Sequence, residues 1–563
     1  MTASLPAVLE HLRSIQFFME MRDENPFKIR AFRAAREELS SLKDEQLNQF
    51  IKENRLTEIK GVGKGIAAVI SEFWQTSTST DFRNIIGDWP LSLLELDELS
   101  GLAPKRIRGV YEQLGISSLA ELEYACLENR LVELPGFGQK TQEKLLKEIE
   151  NLKARRGKVL LCDAIDETRE FRSRLPKDTP FEEVGDLGMR HEVIETLEFL
   201  VEDKKSFEAK HLEKLGLKKS PSTRQVSLKT KHGHSLKFIH VAKASFPIHR
   251  VFLTSSPEHW HSLESAARKK TLLLTANELK KSDRLLKIES EQELYAELGI
   301  VYHPPEAREY AAEKSFEFVS LESLKGCFHA HSTYSDGSDS LKNMLDAAKA
   351  KGWDYFGISE HSQTAFYARG LKDADLQKQW KEIDQYNKKS APFRVLKGVE
   401  SDILKEGELD YPDKILKEFD FVIASIHQRY GLKEMTDRIL AAVRNPYSSM
   451  IGHISGRLLL GREPYRLNYE AIIREAIATH TVIELNCNPH RLDMDWRYLR
   501  QACEAGLLIS INPDAHSVEG LDDLEFGVWM ARKALVAPSQ IINTWPLKKL
   551  LELFSKQREK KAA

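Results

Sequence analysis

Late in the chain, short apolar runs stop again and again on residues that bind divalent metals. The runs end at His329 and His331, His361, Glu400, His427, His453, Asn486, and Asp514 with His516. Imidazole and carboxylate together are ligands for divalent metals, and six of these seven endings supply one or the other. Ligands gathered at one end of successive strands are how a barrel enzyme assembles its site. The chemistry to expect is metal-assisted hydrolysis. His329 and His331 stand two apart, as do Asp514 and His516, a spacing that on a strand aims both side chains at one face. Asp336 follows the first pair in the turn Tyr334-Ser335-Asp336-Gly337. A lone histidine more often serves packing or a hydrogen bond. Nine imidazoles and carboxylates, each closing an expected strand or the turn after it, are not explained that way.

The elements that must position these groups follow from periodicity. Seven apolar runs are expected as strands: 325–329, 355–359, 394–399, 419–425, 449–452, 481–486 and 506–511. Helical periodicity fills most gaps, as at 341–351 and 469–478. Alternating strand and helix predicts a parallel sheet. Seven such units suggest a closed or nearly closed barrel.

The rest of the chain reads differently. Its 563 residues call for several domains, at roughly 100–200 residues each. A net charge of −2 gives no hint of a nucleic-acid partner from bulk charge. Five cysteines without a Cys-x-x-Cys pair argue against a disulfide scaffold or a zinc ribbon. Neither a signal-peptide pattern nor an apolar run of about 18 residues is found, so the expected location is cytoplasmic, with no membrane partner. Residues 1–150 read as helical with two similar glycine turns, Ile59-Lys60-Gly61-Val62-Gly63-Lys64-Gly65 and Leu134-Pro135-Gly136-Phe137-Gly138-Gln139-Lys140. Gly-x-Gly at a helix start exposes backbone N–H groups that hold phosphate. A weaker third copy spans Leu99 to Lys105. Residues 150–320 mix polar connections with strand-like runs at 159–162, 196–201 and 236–241. Between Lys204 and Arg250 twelve Lys or Arg face two Glu, a solvated face or a surface for a phosphate backbone. His303-Pro304-Pro305-Glu306 suggests a linker. A basic tail at 556–561 is expected to fray.

Phe328-His329-Ala330-His331-Ser332-Thr333-Tyr334-Ser335-Asp336-Gly337, Ile358-Ser359-Glu360-His361, Gly398-Val399-Glu400, Ser425-Ile426-His427, Gly452-His453 and Pro513-Asp514-Ala515-His516 resemble the PHP (polymerase and histidinol phosphatase) superfamily. The resemblance implies a distorted (β/α)7 barrel holding two or three divalent ions, manganese first, zinc or iron as alternatives. Carried over residue by residue, it assigns His329, His331, Glu400 and Asp514 to one metal. Glu400, His427 and His453 take a second, with Glu400 bridging, and Asp336, His361 and His516 a third. The Asp usual before the second-motif histidine is Glu360 here, beside the ligands and not among them. Arg457, Arg462 and Arg491, in loops near these strands, are candidates to seat phosphate.

Glu24-Asn25-Pro26-Phe27-Lys28-Ile29-Arg30-Ala31-Phe32-Arg33 resembles the first helices of family X DNA polymerases, whose bacterial branch carries a C-terminal PHP domain. The glycine turns resemble that family's helix-hairpin-helix motifs, which implies DNA contacts through Gly61, Gly63, Lys64, Gly65, Gly136, Gly138 and Lys140. By the same resemblance the polymerase centre looks degenerate. Thr196 and Glu198 stand where an Asp pair belongs, Lys237 where a third Asp belongs, and Gly185-Asp186-Leu187-Gly188 lacks the phosphate-binding Ser and Arg pair. In the thumb, Thr254-Ser255-Ser256-Pro257-Glu258-His259 has lost a glycine. Val69 replaces the lysine of lyase-competent relatives.

The fold expected is therefore multidomain, α plus α/β. A helical DNA-binding domain at 1–80 and a fingers-like helical domain at 81–155 each carry one helix-hairpin-helix. A degenerate nucleotidyltransferase-like α+β palm and thumb spans 156–300, a linker 301–322, and the PHP barrel 323–563. The function expected is metal-dependent DNA phosphoesterase: 3′-5′ exonuclease, abasic-site or 3′-end processing, on gapped, nicked or damaged DNA without sequence preference. The alternatives are an active polymerase using Glu192, Glu195 and Glu198, a histidinol-phosphate-type phosphatase, and a DNA-binding scaffold without catalysis.

Overall fold

The computed structural model describes residues 4–40, 42–99, 102–177, 181–202, 228–229, 234–312, 315–427 and 435–562. These form two compact units, Met1–Cys126 with Leu131–Ile149, and Leu127–Arg130 with Glu150–Ala563. Among the described residues no helix is long and apolar enough to cross a membrane.

The first unit is helical, as its periodicity predicts. Leu5–Met21 starts at Ser4, whose hydroxyl accepts from Ala7 N–H, and buries Leu5, Val8, Leu12, Ile15 and Met19 along one stripe. Asn25 caps Pro26–Leu39 in the same way. The two glycine turns share one geometry. Gly61 (φ 81°) and Gly136 (φ 85°) are left-handed, a conformation that favours glycine. Val62 and Phe137 follow as buried anchors. The helices Lys64–Thr76 and Gln139–Arg156 then begin. At Gly61 an added Cβ would also lie 3.4 Å from the backbone of Ala34 and Ala35. The third copy's Ser100 and Gly101 lie outside the described residues.

The second unit opens with a small sheet of β1 (Phe181–Val184), β2 (Thr196–Glu202) and β3 (Ser235–Val241). β1 and β2 pair antiparallel, and β2 and β3 pair parallel with Glu198 opposite Lys237. The 159–162 run is strand only at Val159–Leu160. Helix Leu161–Arg174 then takes Cys162, because Leu161, Ala164, Ile165 and Phe171 repeat at helical spacing and are buried. Most of the basic 204–250 stretch lies outside the described residues. The 301–322 stretch, expected as a linker, carries fully buried His303 and Arg308. Arg308 pairs with Glu291 at 2.8 Å and donates from Nε to the His303 carbonyl at 2.9 Å.

The C-terminal region is a ring of parallel strands: β4 (Tyr355–Ile358), β5 (Arg394–Asp402), β6 (Phe421–Ser425), β7 (Met450–Ile451), β8 (Val482–Asn486) and β9 (Ile509–Asn512). Each pairs with the next in sequence order. β4, β6, β8 and β9 are buried on both faces, as parallel strands covered by helices must be. The first expected strand, 325–329, is not a regular strand; an isolated bridge follows it, from Ala330 to Ala515. It still joins both edges of the sheet. Cys327 and Ala330 carbonyls accept from Gly357 and Ser359 N–H at 2.9 Å, and His331 N–H donates to Ala515 at 2.8 Å. The sheet therefore closes on itself as a distorted barrel. Gly357 and Gly398 leave room inside it for the Phe421 ring, which an added Cβ would meet at 2.6 and 2.1 Å.

The basic tail does not fray. Leu547–Ala562 is a helix whose Leu550, Leu553 and Phe554 pack on Phe328, Tyr355, Phe421, Met450 and Val482. Tyr355, Phe421, Met450 and Val482 among those partners start their strands, so the helix covers the barrel end opposite the ligand-bearing strand ends. Gln557 Nε2 and Lys561 Nζ donate to the Ser449 and Ser448 carbonyls at 3.1 and 2.6 Å. Leu550→Ala should lower stability by about 2–5 kcal/mol, read as a lower unfolding midpoint of the C-terminal region in chemical denaturation. An unchanged midpoint would mean that the helix does not seal the barrel.

Candidate metal centre

All nine expected ligands converge at the ends of the barrel strands. Glu400, near the end of β5, stands at the middle. Its Oε2 lies 3.4 Å from His329 Nε2, 3.6 Å from His331 Nε2 and 3.0 Å from His361 Nδ1. Its Oε1 lies 3.2 Å from His427 Nε2 and 2.9 Å from His453 Nε2. Asp514 Oδ1 completes the first group at 3.3 Å from His329 and 3.4 Å from His331. Asp336 reaches His361 at 3.2 Å and His516 at 3.4 Å. Two ligands of one tetrahedral ion with bonds of about 2.1 Å stand roughly 3.4 Å apart, which is the spacing found. Three groups could each hold an ion: His331, Asp336, His361 and His516; His329, His331 and Glu400; and His361, Glu400 and His427.

Hydrogen bonding tests the fit. His329 Nδ1 lies 2.7 Å from Glu484 Oε1, and His427 Nδ1 lies 2.5 Å from Asp402 Oδ1. An ionised carboxylate only accepts, so both Nδ1 atoms carry the proton. Both Nε2 lone pairs then face carboxylate oxygens. Nε2 and a carboxylate oxygen at about 3.3 Å, away from water, need a positive charge between them, supplied by a second proton on the imidazole or by a metal ion that displaces it. In keeping with this, His329 Nε2, His331 Nε2, both nitrogens of His361, His516 Nε2 and Glu400 Oε2 are buried without a hydrogen-bond partner among the described residues.

The charges of the cluster are unbalanced in the same sense. Burial works to lower the histidines, yet Asp514, Glu484 and Glu400 hold His329 well above its usual range, and Asp336 and Glu400 do the same to His361. His516 is pushed up to about 9, Asp336 outweighing burial. Burial pushes His331 down to about 3, helped by His361 and His516.

Sequence reading keeps Asn486 behind the ligands or facing the substrate, and it missed Glu484 and Asp402, which also aim ligands. Glu484, fully buried on β8, accepts from His329, from His453 N–H at 2.7 Å, and from Asn512 and Asn486 amides at 3.0 and 3.2 Å. Asn486 also donates to Asp514 Oδ2 at 3.0 Å, so the one ending without a usual ligand positions a ligand. Asp402 orients His427. The overlooked signal was spacing by two, Glu484 before Asn486 and Asp402 after Glu400, on shared strand faces. Glu360 accepts from Ser332 N–H and Gln379 and stays beside the ligands.

The comparisons with known proteins agree with this geometry. Family profiles match as a helix-hairpin-helix domain over residues 5–79, a SAM-like helix-hairpin-helix tandem over 93–151, a DNA polymerase beta thumb over 250–309 and a PHP domain over 328–488. The DNA polymerase/3′-5′ exonuclease PolX of Bacillus subtilis is 33% identical over 570 residues, covering 98% of this chain and 99% of its own. The chain belongs to the PolX family. A probable phosphatase of Syntrophotalea carbinolica is 30% identical over 161 residues, 27% of this chain and 65% of its own. The PHP match stops before Asp514 and His516; in this PolX chain their place in the cluster rests on the distances above.

Elsewhere in this PolX chain the expected site residues fare differently. Gly61, Gly63, Lys64 and Gly65 are exposed at the start of Lys64–Thr76, and Gly136, Gly138 and Lys140 at the start of Gln139–Arg156. Gly63 caps its helix with no side-chain hydrogen bond, so its first turn has no capping side chain. Val69 is buried apolar core. On β2, Glu198 does not stand open to a metal, because Lys237 Nζ donates to its Oε1 at 2.7 Å. Thr196 faces Ser235. Glu192 is buried and held below its usual range, Arg497 and Arg457 overcoming burial. Arg457 is corrected as a phosphate seat. It is buried, donates to Asp495 at 2.6 Å and to the Arg491 carbonyl at 2.9 Å, and lies 3.6 Å from Glu192. Arg462 donates from Nε to the Gly456 carbonyl at 2.6 Å, tying its own turn. Arg491 is buried near the cluster. After burial itself, its charge is what holds His453 below the usual range.

Two measurements follow. Glu484→Gln turns an amide N–H2 toward donors that both carboxylate oxygens now serve, so manganese affinity should fall about 10–100-fold, read by calorimetric titration; unchanged affinity would remove Glu484 from the site. At pH 7 His516 carries a proton that a metal must displace, and above about 9 it does not. Metal uptake should therefore release protons near neutrality and fewer above pH 9, read by titration in two buffers of different ionisation enthalpy.

Proposed function

We propose that this PolX chain is a metal-dependent DNA phosphoesterase whose working centre is the PHP site, and that its palm no longer transfers nucleotides. One observation carries the reading: imidazole lone pairs and carboxylate oxygens face each other around Glu400, whereas the palm carboxylate Glu198 is already neutralised by Lys237. His329, His331, Glu400 and Asp514 would hold one ion, Glu400, His427 and His453 a second, and Asp336, His361 and His516 a third. Manganese is the first candidate. Bound divalent cations neutralise phosphate oxygens and make water nucleophilic near neutral pH.

The chain's own residues do the rest. Glu484 and Asp402 fix the histidine tautomers, and Arg491 adds positive charge on the His453 side. The exposed helix starts after Gly61 and Gly136 would hold DNA by its backbone, without reading sequence. Gapped, nicked or damaged DNA is the proposed substrate. The reactions are removal of 3′-terminal nucleotides, cleavage at abasic sites or removal of a 3′-phosphate. The printed activity of the Bacillus subtilis relative supports the first of these. A small-molecule phosphatase would leave the two DNA-docking turns without a role. A polymerase using Glu192, Glu195 and Glu198 would have to break pairs with Arg497, Lys158 and Lys237.

Labelled gapped DNA tests the proposal. With manganese, wild-type protein should shorten the labelled strand, and His329→Ala should bind it equally and leave it intact. With magnesium and nucleotides neither should extend a primer. Extension lost in Glu198→Ala and kept in His329→Ala would overturn the assignment.

A further inference from the structure

We infer that the loop from Ser362 to Leu371 is the substrate lip of the PHP centre, with Phe366 as a platform for the terminal nucleobase and the Tyr367 hydroxyl as a donor to the bound phosphate. The inference rests on the phosphodiesterase reading above and deepens it.

The loop is tied to the ligands at both ends. Ser362 N–H donates to the Glu400 carbonyl at 3.0 Å, and Leu371 N–H donates to the His361 carbonyl at 2.9 Å. Thr364 Oγ1 donates at 3.0 Å to Asp402, the carboxylate that orients His427. Between these ties a single 3-10 turn, Phe366–Ala368, ends at left-handed Arg369. Gly370 lets the loop close: an added Cβ would lie 1.9 Å from the Ser362 carbonyl. The two ends of the lip are therefore tied to the backbone of two candidate ligands, His361 and Glu400.

Its two aromatics are opposites. The Tyr367 ring centroid lies 6.4 Å from that of His361 and 6.5 Å from that of His427. Its hydroxyl is buried with no hydrogen-bond partner among the described residues. A buried hydroxyl without a partner is costly, and each such group calls for one in the working state. The acceptor that belongs beside His361 and His427 is a phosphate oxygen. The Arg130 guanidinium stacks 4.9 Å from the Tyr367 ring centroid and is itself paired with Glu128 at 2.6 Å, so it helps to fix the ring. Phe366 points the other way. It is 70% exposed, more than any other large apolar side chain described in this unit, and its ring stands edge-on to Tyr367 at 5.6 Å and 79°. An exposed aromatic face one residue from a phosphate donor suits a nucleotide, because every base has a face that stacks on an aromatic ring. A phosphate group without a base would have no use for it.

The test compares 5′-labelled oligonucleotides ending in a normal nucleotide or in an abasic residue, with manganese and the full-length protein. Wild type should remove the base-bearing terminus with kcat/KM about tenfold higher. Phe366→Ala should bring that ratio near one without changing the rate on the abasic end, and Phe366→Trp should keep the ratio. Tyr367→Phe should lower kcat at both ends about tenfold, with the ratio and the bound manganese unchanged. A ratio that survives Phe366→Ala, or equal losses on both ends, would overturn the platform. Full activity in Tyr367→Phe would overturn the donor. If wild type removes neither end, the phosphodiesterase reading fails and the lip falls with it.

Discussion

Five imidazoles crowd one buried carboxylate. Glu400 meets His329, His331 and His361 on one oxygen and His427 and His453 on the other, all within 3.6 Å. Such a cluster is tolerable in a protein interior only if its charge is balanced and its lone pairs are directed. Glu484 and Asp402 fix the proton on the far side of His329 and His427, so the near nitrogens of these two are the ones a metal can take. The arrangement calls for positive charge between imidazole and carboxylate, which protons on His329, His361 and His516 supply until a metal displaces them.

Parallel strands make that possible because each releases its last side chains at the same end of the ring. The period of two then separates labour within a strand. Glu400 and Asp402 share a face of β5, one as a candidate ligand and the other as the acceptor behind a ligand. Glu484 and Asn486 repeat the arrangement on β8, Glu484 behind His329 and Asn486 behind Asp514. At the opposite end the Leu547–Ala562 helix covers the ring with leucine and phenylalanine. Water is thus excluded from the sealed end, and the ligand end is left to admit a substrate.

The nine candidate ligands were legible because metal chemistry demands particular residue types and strands impose a simple spacing. The six regular strands and the helical first unit were legible from periodicity for the same reason. Three things were not. The first run was expected as a strand, yet its pairing is split between two neighbours, a fact set by barrel closure and invisible in a local pattern. The tail from Lys556 looked like a solvated charge run, because Gln557 and Lys561 find their carbonyl partners more than 70 residues away in sequence. Arg457 looked like a phosphate seat, because sequence shows a charge and not the Asp495 and Glu192 that meet it. Contacts distant in the chain decide all three.

Arg457 also bears on what the palm does. Glu192, from the turn before β2, lies against Arg457 and Arg497 of the PHP region. Lys533, fully buried, donates to the Met189 carbonyl at 3.0 Å and pairs with Glu309. Arg532 reaches Glu306 at 2.8 Å. Within this unit, Glu192 and the thumb acids Glu306 and Glu309 meet cations of the barrel, and Glu198 meets a cation of its own sheet. A polymerase palm needs carboxylates held open for magnesium and nucleotide. Here the neighbouring acids have protein partners, and removing Glu309 would leave the fully buried Lys533 ammonium without its carboxylate. On the proposed function that constraint gives the palm a reason to persist without its own chemistry: it packs against the flank of the barrel whose far strand ends hold the metal ligands.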